Sequence, residues 1–375
     1  MKDVTLILLA AGSSSRFNAP LKKQWIRIKE KPLWQFVADW FKSLGIFDKI
    51  IITAAEDEIT YMQYHGDYTI VQGGKSRQES LQNALLHVKS EFVLVSDIAR
   101  ACIEKQTIQK LFESIRDYDV VIPTLKLSDT VIYEDSTINR EKVLRVQTPQ
   151  LSRVDILKKA LQSDIEYTDE SSAIVAYGGK RGYIEGEITA HKLTFLEDIA
   201  NLPCLEEPSN EILTGNGFDV HEFDATKSHI FLCGEKIECG YGFKAHSDGD
   251  VAIHALIDAI LGACGMGDIG ELFPDTDNKY AGIDSKKLLQ EVLHKVTQFG
   301  FMVKNVDITI IAQQPKIAPH KKDFRFNIAK LLNIEPIKVN IKATTTEKLG
   351  FIGRKEGVGI LATANLKYFN WKQGQ

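Results

Sequence analysis

Near its N-terminus the chain reads Leu6-Ile-Leu-Leu-Ala-Ala-Gly-Ser-Ser-Ser-Arg16, an apolar run that ends in a turn of small residues. The run has the length and composition of a buried β-strand. In the turn, Gly12 and the serines let backbone N–H groups approach an anion closely, although many such turns only reverse the chain. Arg16 and Lys23 favour a phosphate-binding loop, because fixed positive charge stabilises phosphoryl and nucleotidyl transfer.

Outward from this loop, the first half of the chain alternates short apolar runs with amphipathic segments. The predicted strands and helices span residues 4–10, 34–44, 49–53, 80–88, 92–96, 108–115 and 120–123. This rhythm predicts an α/β domain whose largely parallel sheet is covered by helices on both faces. Ligands of such domains bind at the carboxyl ends of the strands.

A second domain is expected after a short linker. The chain has 375 residues, more than one hydrophobic core usually organises. Periodicity is lost between Asn201 and Glu211, so the predicted domains are residues 1–211 and 212–375. In the second half, predicted strands at 213–220, 307–312 and 339–343 and helices at 250–263 and 285–299 indicate a compact α+β unit that does not repeat the first.

Composition argues against several classes of partner. Hydrophobic residues make up 44% and charged residues 26% of the chain, and the formal net charge is −4. These values are typical of a globular protein and predict no basic surface for nucleic acid. The long apolar run from Ala252 to Met266 is interrupted by His254 and Asp258, and the N-terminal run is too short for a secretory signal. No membrane association is therefore expected.

The five cysteines are odd in number and form no C-x-x-C pair. A chain of this size does not need disulfides to fold, so the sequence predicts reduced thiols in a cytoplasmic protein. These cysteines are Cys102, Cys204, Cys233, Cys239 and Cys264.

The sharper functional signal is the segment Gly217-Phe-Asp-Val-His221. Asp219 and His221 are two residues apart on a predicted strand and point to the same face, where they can share one metal ion. His254, at the start of a predicted helix, offers a third ligand. Two imidazoles and a carboxylate suit Zn²⁺ with an open fourth position. Each motif taken singly is more often structural, and Asp258 is a hypothetical partner for the His254 imidazole.

The first half also resembles a known family. The segments that carry the resemblance are A-A-G-x-x-x-R with the following K-Q, and residues 73–80, 95–100, 148–150, 168–170 and 185–186. They are similar to the 2-C-methyl-D-erythritol 4-phosphate cytidylyltransferases, within the wider sugar-nucleotide pyrophosphorylases, over most of residues 1–200. Leu9, Ser14 and Ile98 depart from the family pattern, which predicts a more crowded loop.

This resemblance implies a Rossmann-like nucleotidyltransferase domain that transfers CMP from CTP to 2-C-methyl-D-erythritol 4-phosphate and releases pyrophosphate. It implies that Arg16 and Lys23 stabilise the α-phosphate in the transition state. Arg140 and Lys192 would position the acceptor phosphate, and Asp97 would lie near the Mg²⁺ or Mn²⁺ of the triphosphate, as a hard oxygen ligand for a hard cation. The other implied substrate-binding residues are Ala10, Ala11, Gly12, Gly74, Ser80, Arg100 and Thr148.

The second half resembles the 2-C-methyl-D-erythritol 2,4-cyclodiphosphate synthases over about residues 213–365. The resemblance rests on the segments 217–221, 245–250, 267–270, 273–277 and 342–351 in family order. It implies an α+β domain that cyclises 4-CDP-2-C-methyl-D-erythritol 2-phosphate and releases CMP. Both activities would serve non-mevalonate synthesis of isopentenyl diphosphate.

The same resemblance assigns roles to residues of the second half. Asp219, His221 and His254 would hold Zn²⁺, while a second ion, Mg²⁺ or Mn²⁺, would bridge the substrate diphosphate. His246 and Thr345 would stabilise the transition state, because each can donate a hydrogen bond to a charged phosphate. The other implied substrate-binding residues are Ser247, Asp268, Ile269, Gly270, Phe273, Pro274, Asp275, Thr276, Asp277, Thr344, Thr346, Glu347, Phe351 and Arg354, with 312–317 near the cytosine.

The implied partners are the two substrates and further copies of the chain. Family resemblance implies cyclase trimers and cytidylyltransferase dimers, which a hexamer would satisfy. A separate kinase acts between the two reactions, and the chain shows no P-loop motif for that step, so association with the kinase is one hypothesis. Two alternatives stay open at this point: a generic pyrophosphorylase fused to an unrelated metallohydrolase, and a protein whose first site has decayed.

Overall fold

The computed structural model describes residues 3–245, 247–274, 279 and 282–372. His246, Asp275, Thr276 and Asp277 of the implied site lie outside the described residues. The chain divides into two compact units, Met1–Glu207 and Pro208–Gln375. The division falls inside the segment 201–211 in which the sequence loses its periodicity.

The first unit contains twelve strands and six helices among its described residues. Its strands are β1 (Val4–Leu9), β2 (Arg27–Ile28), β3 (Lys31–Pro32), β4 (Lys49–Ala54), β5 (Thr69–Gln72), β6 (Phe92–Asp97), β7 (Val120–Lys126), β8 (Val131–Tyr133), β9 (Ser136–Ile138), β10 (Leu144–Val146), β11 (Gln150–Arg153) and β12 (Arg181–Glu185). Its helices are α1 (Leu33–Ser43), α2 (Ile59–Gln63), α3 (Arg77–Leu85), α4 (Lys105–Ser114), α5 (Val154–Ala160) and α6 (Glu170–Ala176).

An eight-stranded sheet in the order β10-β7-β11-β6-β1-β4-β5 forms the centre of this unit, with β12 paired to β7. The pairings of β1 with β4 and β6, of β4 with β5 and of β7 with β12 are parallel, which confirms the predicted α/β class. Leu6 and Ile7 point to opposite faces of β1 and are both fully buried, so both faces are covered. In register, Leu9 lies opposite Asp97, which brings the glycine-serine turn beside the end of β6.

The second unit is built on a five-stranded sheet in the order β16-β13-β19-β17-β18, accompanied by a β14–β15 hairpin. Its strands are β13 (Leu213–Asp224), β14 (His229–Leu232), β15 (Glu235–Glu238), β16 (Gly242–Phe243), β17 (Phe301–Ile311), β18 (Val339–Thr344) and β19 (Gly357–Tyr368). Its helices are α7 (Val251–Cys264), α8 (Ile269–Leu272), α9 (Ser285–Gln298), α10 (Lys321–Leu332) and α11 (Gly350–Gly353).

Helix α7 packs directly on β13 because two glycines leave room for its backbone. A Cβ atom added to Gly217 would lie 1.9 Å from the carbonyl oxygen of Ala255, and one added to Gly215 would lie 2.1 Å from that of Ala259. Alternation along β13 puts Asp219 on the same face as these glycines. Close packing therefore brings the polar end of the strand against the first turns of the helix.

Gly217→Ala is expected to destabilise the second unit by roughly 2–4 kcal/mol, because overpacking against a backbone carbonyl forces α7 away from the sheet. The measurement is thermal unfolding followed by circular dichroism. Gly262→Ala is the matched control, since a Cβ atom there would come no closer than 3.9 Å to another group and alanine favours the helix. Equal melting temperatures for the two variants would contradict the close packing.

The cysteine prediction is wrong for one pair. Cys102 and Cys204 form a disulfide across a sequence separation of 102 residues. Cys102 follows β6 and Cys204 belongs to the segment that ends the first unit, so only the folded domain brings them together. Cys233, Cys239 and Cys264 form no disulfide with one another or with any other described residue. None of the helices in the described part of the chain has the length and apolarity needed to cross a membrane.

Candidate functional sites

The first site is a cleft of about 410 Å³ at the carboxyl ends of β1 and β6. The turn after β1 forms one wall, and the segment before α3 forms another. Nine of the residues implied by sequence line it together: Ala10, Ala11, Gly12, Arg16, Lys23, Gly74, Ser80, Asp97 and Lys192. These nine residues comprise small residues, three cationic side chains and one carboxylate, and Lys75 and Arg77 also line the cleft.

The turn is held in shape by Gln24, which belongs to the quoted K-Q pair but was assigned no role from the sequence. The buried Gln24 amide donates to the Gly12 carbonyl over 3.2 Å and to the Glu58 carboxylate over 3.1 Å, and it accepts from the Ser14 hydroxyl over 3.0 Å. Ser14 has a positive φ of 58°, a conformation that favours glycine. The hydroxyl of Ser14 also accepts from the Lys23 backbone N–H, which compensates for the strained residue.

Asp97 is the electrostatic centre of the cleft. Lys192 Nζ lies 2.6 Å from Asp97 Oδ2, and Arg77 Nε lies 3.2 Å from Oδ1. Burial opposes ionisation of this carboxyl, but the neighbouring Arg77 and Lys192 charges outweigh it and hold the pKa of Asp97 well below its usual range. Asp97 is therefore a carboxylate at neutral pH, which is the form that can bind a divalent cation.

Arg77 is a second residue that sequence reasoning did not assign, although it stands in the quoted segment 73–80. Its guanidinium joins Asp97 to Glu170, whose Oε1 atom lies 2.6 Å from Arg77 Nη1. Glu170 is fully buried, and burial raises its pKa despite the nearby guanidinium. Arg77 thus neutralises the buried Glu170 and also orients the Asp97 carboxylate.

Arg77→Ala is expected to destabilise the first unit by roughly 3–5 kcal/mol, because it leaves Glu170 buried without a partner. An unpaired buried carboxyl has a pKa above its unfolded value, so the loss is present at neutral pH and shrinks as pH falls through the folded pKa. Chemical denaturation at pH 5 and pH 8 measures both effects. The double variant with Glu170→Gln should recover part of the loss, and a loss independent of pH and of Glu170 would contradict the assignment.

Lys23 lies in the most crowded part of the cationic group. Its Nζ atom donates to the Leu193 carbonyl over 3.1 Å. Burial lowers the pKa of Lys23, and the positive charges of Lys192 and Arg16 lower it further. An anionic phosphate that enters the cleft stabilises such a partly desolvated cation, because it offsets the repulsion among Lys23, Lys192 and Arg16.

Arg100, Thr148 and Lys192 line a smaller adjoining cleft that also contains Asp97. The Thr148 hydroxyl accepts from the Asp97 backbone N–H over 3.3 Å, and Arg100 donates to the Ala190 carbonyl over 2.6 Å. Arg140 is not among the residues that line either cleft in the described part of the chain. It lies beyond the β8–β9 hairpin and donates to the Ser128 carbonyl.

The second site is formed by Asp219, His221 and His254, whose ligand atoms all lie within 4.8 Å of one another. The Nδ1 atoms of both histidines are 3.3 Å from Asp219 Oδ2. His221 Nδ1 is buried and has no hydrogen-bond partner among the described residues. Buried polar atoms normally have a partner, so this nitrogen is available as a ligand atom for a metal ion in the cluster. Burial lowers the pKa of His221, which favours the neutral imidazole that binds metals. The donor set fits Zn²⁺.

The partner of His254 differs from the expected one. His254 Nε2 lies 3.0 Å from Ser285 Oγ and 3.2 Å from Ser247 Oγ. Asp258 instead accepts from the Ile269 backbone N–H over 2.8 Å, which ties the start of α8 to α7. Ser285, at the start of α9, thus contacts a candidate metal ligand, and only the packing of α9 against α7 reveals this contact.

The other implied residues of the second half lie on two segments. Asp268 caps α8 by accepting from the Glu271 N–H, and Phe273 is buried. Ile269, Gly270 and Pro274 belong to the same stretch. The second segment starts at the last residue of β18 and contains Thr344, Thr345, Thr346, Glu347, Phe351 and Arg354.

Within that second segment, the Thr345 hydroxyl donates to Glu347, and the Arg354 guanidinium pairs with Glu356 over 2.8 Å. The Ala312 backbone N–H donates to the Thr344 carbonyl, so residues 312–317 start beside this segment. The structure thus places the start of the stretch implied for the cytosine beside this substrate-binding segment.

Comparison with known proteins agrees with both halves. Residues 4–204 match the family model of 2-C-methyl-D-erythritol 4-phosphate cytidylyltransferase, and residues 212–367 match the YgbB family. The bifunctional enzyme IspD/IspF of Sulfurimonas denitrificans is 58% identical over 371 residues, which cover 99% of this chain and 96% of the relative. That of Aliarcobacter butzleri is 52% identical over 374 residues, covering all of both chains.

A solved structure of the bifunctional IspDF from Campylobacter jejuni matches with a TM-score of 0.93 and 48% identity, and the match covers 99% of this chain and 100% of that one. Identity of this extent over the full length shows the family as well as the fold. The chain therefore belongs to the bifunctional IspD/IspF enzymes of isoprenoid biosynthesis, which join a cytidylyltransferase to a cyclodiphosphate synthase.

Proposed function

We propose that the cleft of the first unit transfers CMP from CTP to 2-C-methyl-D-erythritol 4-phosphate. The turn at Gly12 would receive the triphosphate through its backbone N–H groups. Lys23 and Arg16 would stabilise the charge that develops on the α-phosphate when the acceptor phosphate attacks and pyrophosphate leaves. No protein nucleophile is required, because positioning and fixed charge supply the catalysis.

Asp97 would hold the Mg²⁺ or Mn²⁺ that accompanies the triphosphate. This carboxylate is pre-oriented by Arg77 and stays ionised across the neutral range, which supports the assignment. Lys192, now paired with Asp97 over 2.6 Å, would exchange part of that contact for the acceptor phosphate. Arg100 and Thr148 would bind the acceptor in the adjoining cleft, and Gly74 and Ser80 would lie on the cytidine side.

We infer that the second unit cyclises 4-CDP-2-C-methyl-D-erythritol 2-phosphate. The substrate's 2-phosphate would attack the β-phosphorus, and CMP would leave. Asp219, His221 and His254 would hold Zn²⁺, which would supply Lewis-acid polarisation of a phosphate oxygen. The chain's own contribution is to fix the three ligands on β13 and α7 and to hold substrate groups through Asp268, Ser247 and Thr345. His246, outside the described residues, remains a proposed transition-state stabiliser.

We propose that the protein works as an oligomer. Phe218, Val220 and Leu361 are 61%, 43% and 45% exposed on the open face of the β13–β19 sheet, more apolar surface than a solvated strand face usually presents. A trimer that covers this face would match the cyclase resemblance. Arg140 does not line either cleft in the described part of its own chain, and in a cytidylyltransferase dimer it would bind the acceptor phosphate in the cleft of a second copy. Such dimers together with cyclase trimers would give a hexamer. Cytoplasmic location and association with the intervening kinase stay predictions.

The observation that carries the proposal is that one chain holds both a cationic triphosphate cleft and a Zn²⁺-type triad. The test supplies the purified chain with CTP and 2-C-methyl-D-erythritol 4-phosphate in one reaction, and with the 2-phosphorylated cytidylyl substrate in another. Pyrophosphate is expected only in the first reaction and CMP only in the second. Cyclisation without pyrophosphate release would show that the first site has decayed.

A further inference from the structure

The hydroxyl of Ser285, the first residue of α9, joins a proposed metal ligand to a carboxylate. Ser285 Oγ lies 3.0 Å from His254 Nε2 and 2.5 Å from Asp248 Oδ1. Ser285 is fully buried, so water does not compete for these contacts. The three side chains form a relay, Asp248–Ser285–His254, behind the ligand triad.

The hydrogen positions in this relay follow from the chemistry of its members. A carboxylate only accepts, so the single hydroxyl hydrogen of Ser285 is donated to Asp248. Ser285 Oγ can then only accept from the imidazole, and His254 Nε2 carries the proton. The other nitrogen, Nδ1, is left with its lone pair, and it is the atom that lies 3.3 Å from Asp219 Oδ2 in the triad.

Asp248 is itself fixed and cannot easily turn away. Its Oδ2 atom accepts from the Ser285 backbone N–H over 3.2 Å, and its Oδ1 atom accepts from the Asp250 backbone N–H over 3.2 Å. Asp250 is the N-cap of α7, and its side chain accepts from Ile253 N–H in the first turn of that helix. The relay therefore connects the starts of α7 and α9, and its geometry is set by backbone groups.

We propose that Ser285 and Asp248 are positioning residues that lock His254 in the Nε2–H tautomer with Nδ1 aimed at the metal. The inference rests on the metal site proposed above. Ser247 also lies near Nε2, at 3.2 Å, but its hydroxyl accepts from the Gly249 backbone N–H and is not in contact with Asp248. Ser247 therefore does not impose a proton direction, whereas Ser285 does.

The first experiment measures Zn²⁺ affinity of the full chain by competition with a chromophoric chelator, without substrate. Ser285→Ala and Asp248→Asn are each expected to weaken Zn²⁺ binding by about 10–100-fold, the range seen when outer partners of metal ligands are removed. Asp248→Asn is nearly isosteric, but its amide can donate to Ser285 and free the serine hydrogen for Nε2, which favours the wrong tautomer. Ser247→Ala removes the other hydroxyl near Nε2 and should cost less affinity than Ser285→Ala. Ser228→Ala is the matched control, because it removes an exposed serine hydroxyl 3.2 Å from His229 Nδ1, outside the triad, and it should leave Zn²⁺ affinity unchanged.

The second experiment reads the tautomer directly in the zinc-free chain. Two-bond ¹H–¹⁵N spectra above pH 7.5 should show His254 as the Nε2–H form, with the signal assigned by its loss in His254→Gln. In Asp248→Asn the Nδ1–H form should grow. Thermal unfolding of the zinc-free variants separates positioning from folding, because a structural role alone would lower the melting temperature without changing the tautomer.

The outcomes distinguish failure of the proposed metal site from failure of the positioning role of Ser285 and Asp248. If the unmutated chain does not bind Zn²⁺, the proposed metal site fails. If it binds Zn²⁺ but Ser285→Ala and Asp248→Asn bind equally well, or His254 is found in the Nδ1–H form, the metal site stands and the positioning role is overturned. A larger loss in Ser247→Ala than in Ser285→Ala would also overturn it.

Discussion

Lys23→Ala is expected to slow pyrophosphate release from CTP by about 10³-fold while leaving CMP release from the cyclase substrate unchanged. Removing one preorganised donor to a developing oxyanion typically costs 10²–10³-fold in rate. The effect of Lys23→Ala should lie at the upper end of this range. Burial lowers the pKa of Lys23, and the positive charges of Lys192 and Arg16 lower it further, so an incoming phosphate relieves a large electrostatic repulsion. The measurement is a coupled pyrophosphate assay at saturating CTP and acceptor.

Two further variants sharpen this test. Lys29→Ala removes an exposed lysine that pairs with Glu206 over 2.9 Å, and it should leave both reactions unchanged. Lys23→Arg retains the charge and should recover part of the rate. The lowered pKa of Lys23 also predicts that pyrophosphate release falls on the alkaline side at a pH below that expected for an ordinary lysine, as the ammonium loses its proton. A Lys23→Ala enzyme with ordinary activity would remove Lys23 from the mechanism.

The main elements of the fold could be predicted because their signals are local. The runs at 49–53 and 213–220 fall within the observed strands β4 and β13, and the helical pattern at 285–299 differs from α9 by one residue at its end. β19 was not predicted, although the buried residues Ile360, Ala362 and Ala364 alternate with more exposed positions. Its central place depends on pairing with β13 and β17, which lie far away in the sequence.

The site shows the same division between local and long-range information. Asp219 and His221 share a strand face, so their proximity is a consequence of period-two geometry. Arg77 pairs with Glu170, 93 residues away, and Ser285 meets His254 only because α9 packs against α7. Neither of these two pairings leaves a signal in the local sequence around its members. For the same reason, the Cys102–Cys204 disulfide has no signature in cysteine spacing.

His221→Ala is expected to abolish stoichiometric Zn²⁺ binding and to reduce CMP release by more than about 10³-fold, with pyrophosphate release unchanged. Two ligands are too few to hold Zn²⁺ in a catalytic site, where three protein ligands are the rule. Loss of the ion removes the polarisation of the phosphate and the template that aligns it for in-line attack. Zinc content measured by atomic absorption after gel filtration gives a readout independent of turnover.

His294→Ala is the matched control, because His294 is exposed on α9 and contacts Gln298 rather than the triad. It should retain both zinc and activity. Asp219→Asn provides a second variant, because it keeps the size of the side chain but removes the negative charge that lies beside both imidazoles. It should lose zinc and still fold. If His221→Ala kept one zinc ion per chain and full CMP release, the metal would have to be held elsewhere. The triad would then be only a polar contact between β13 and α7.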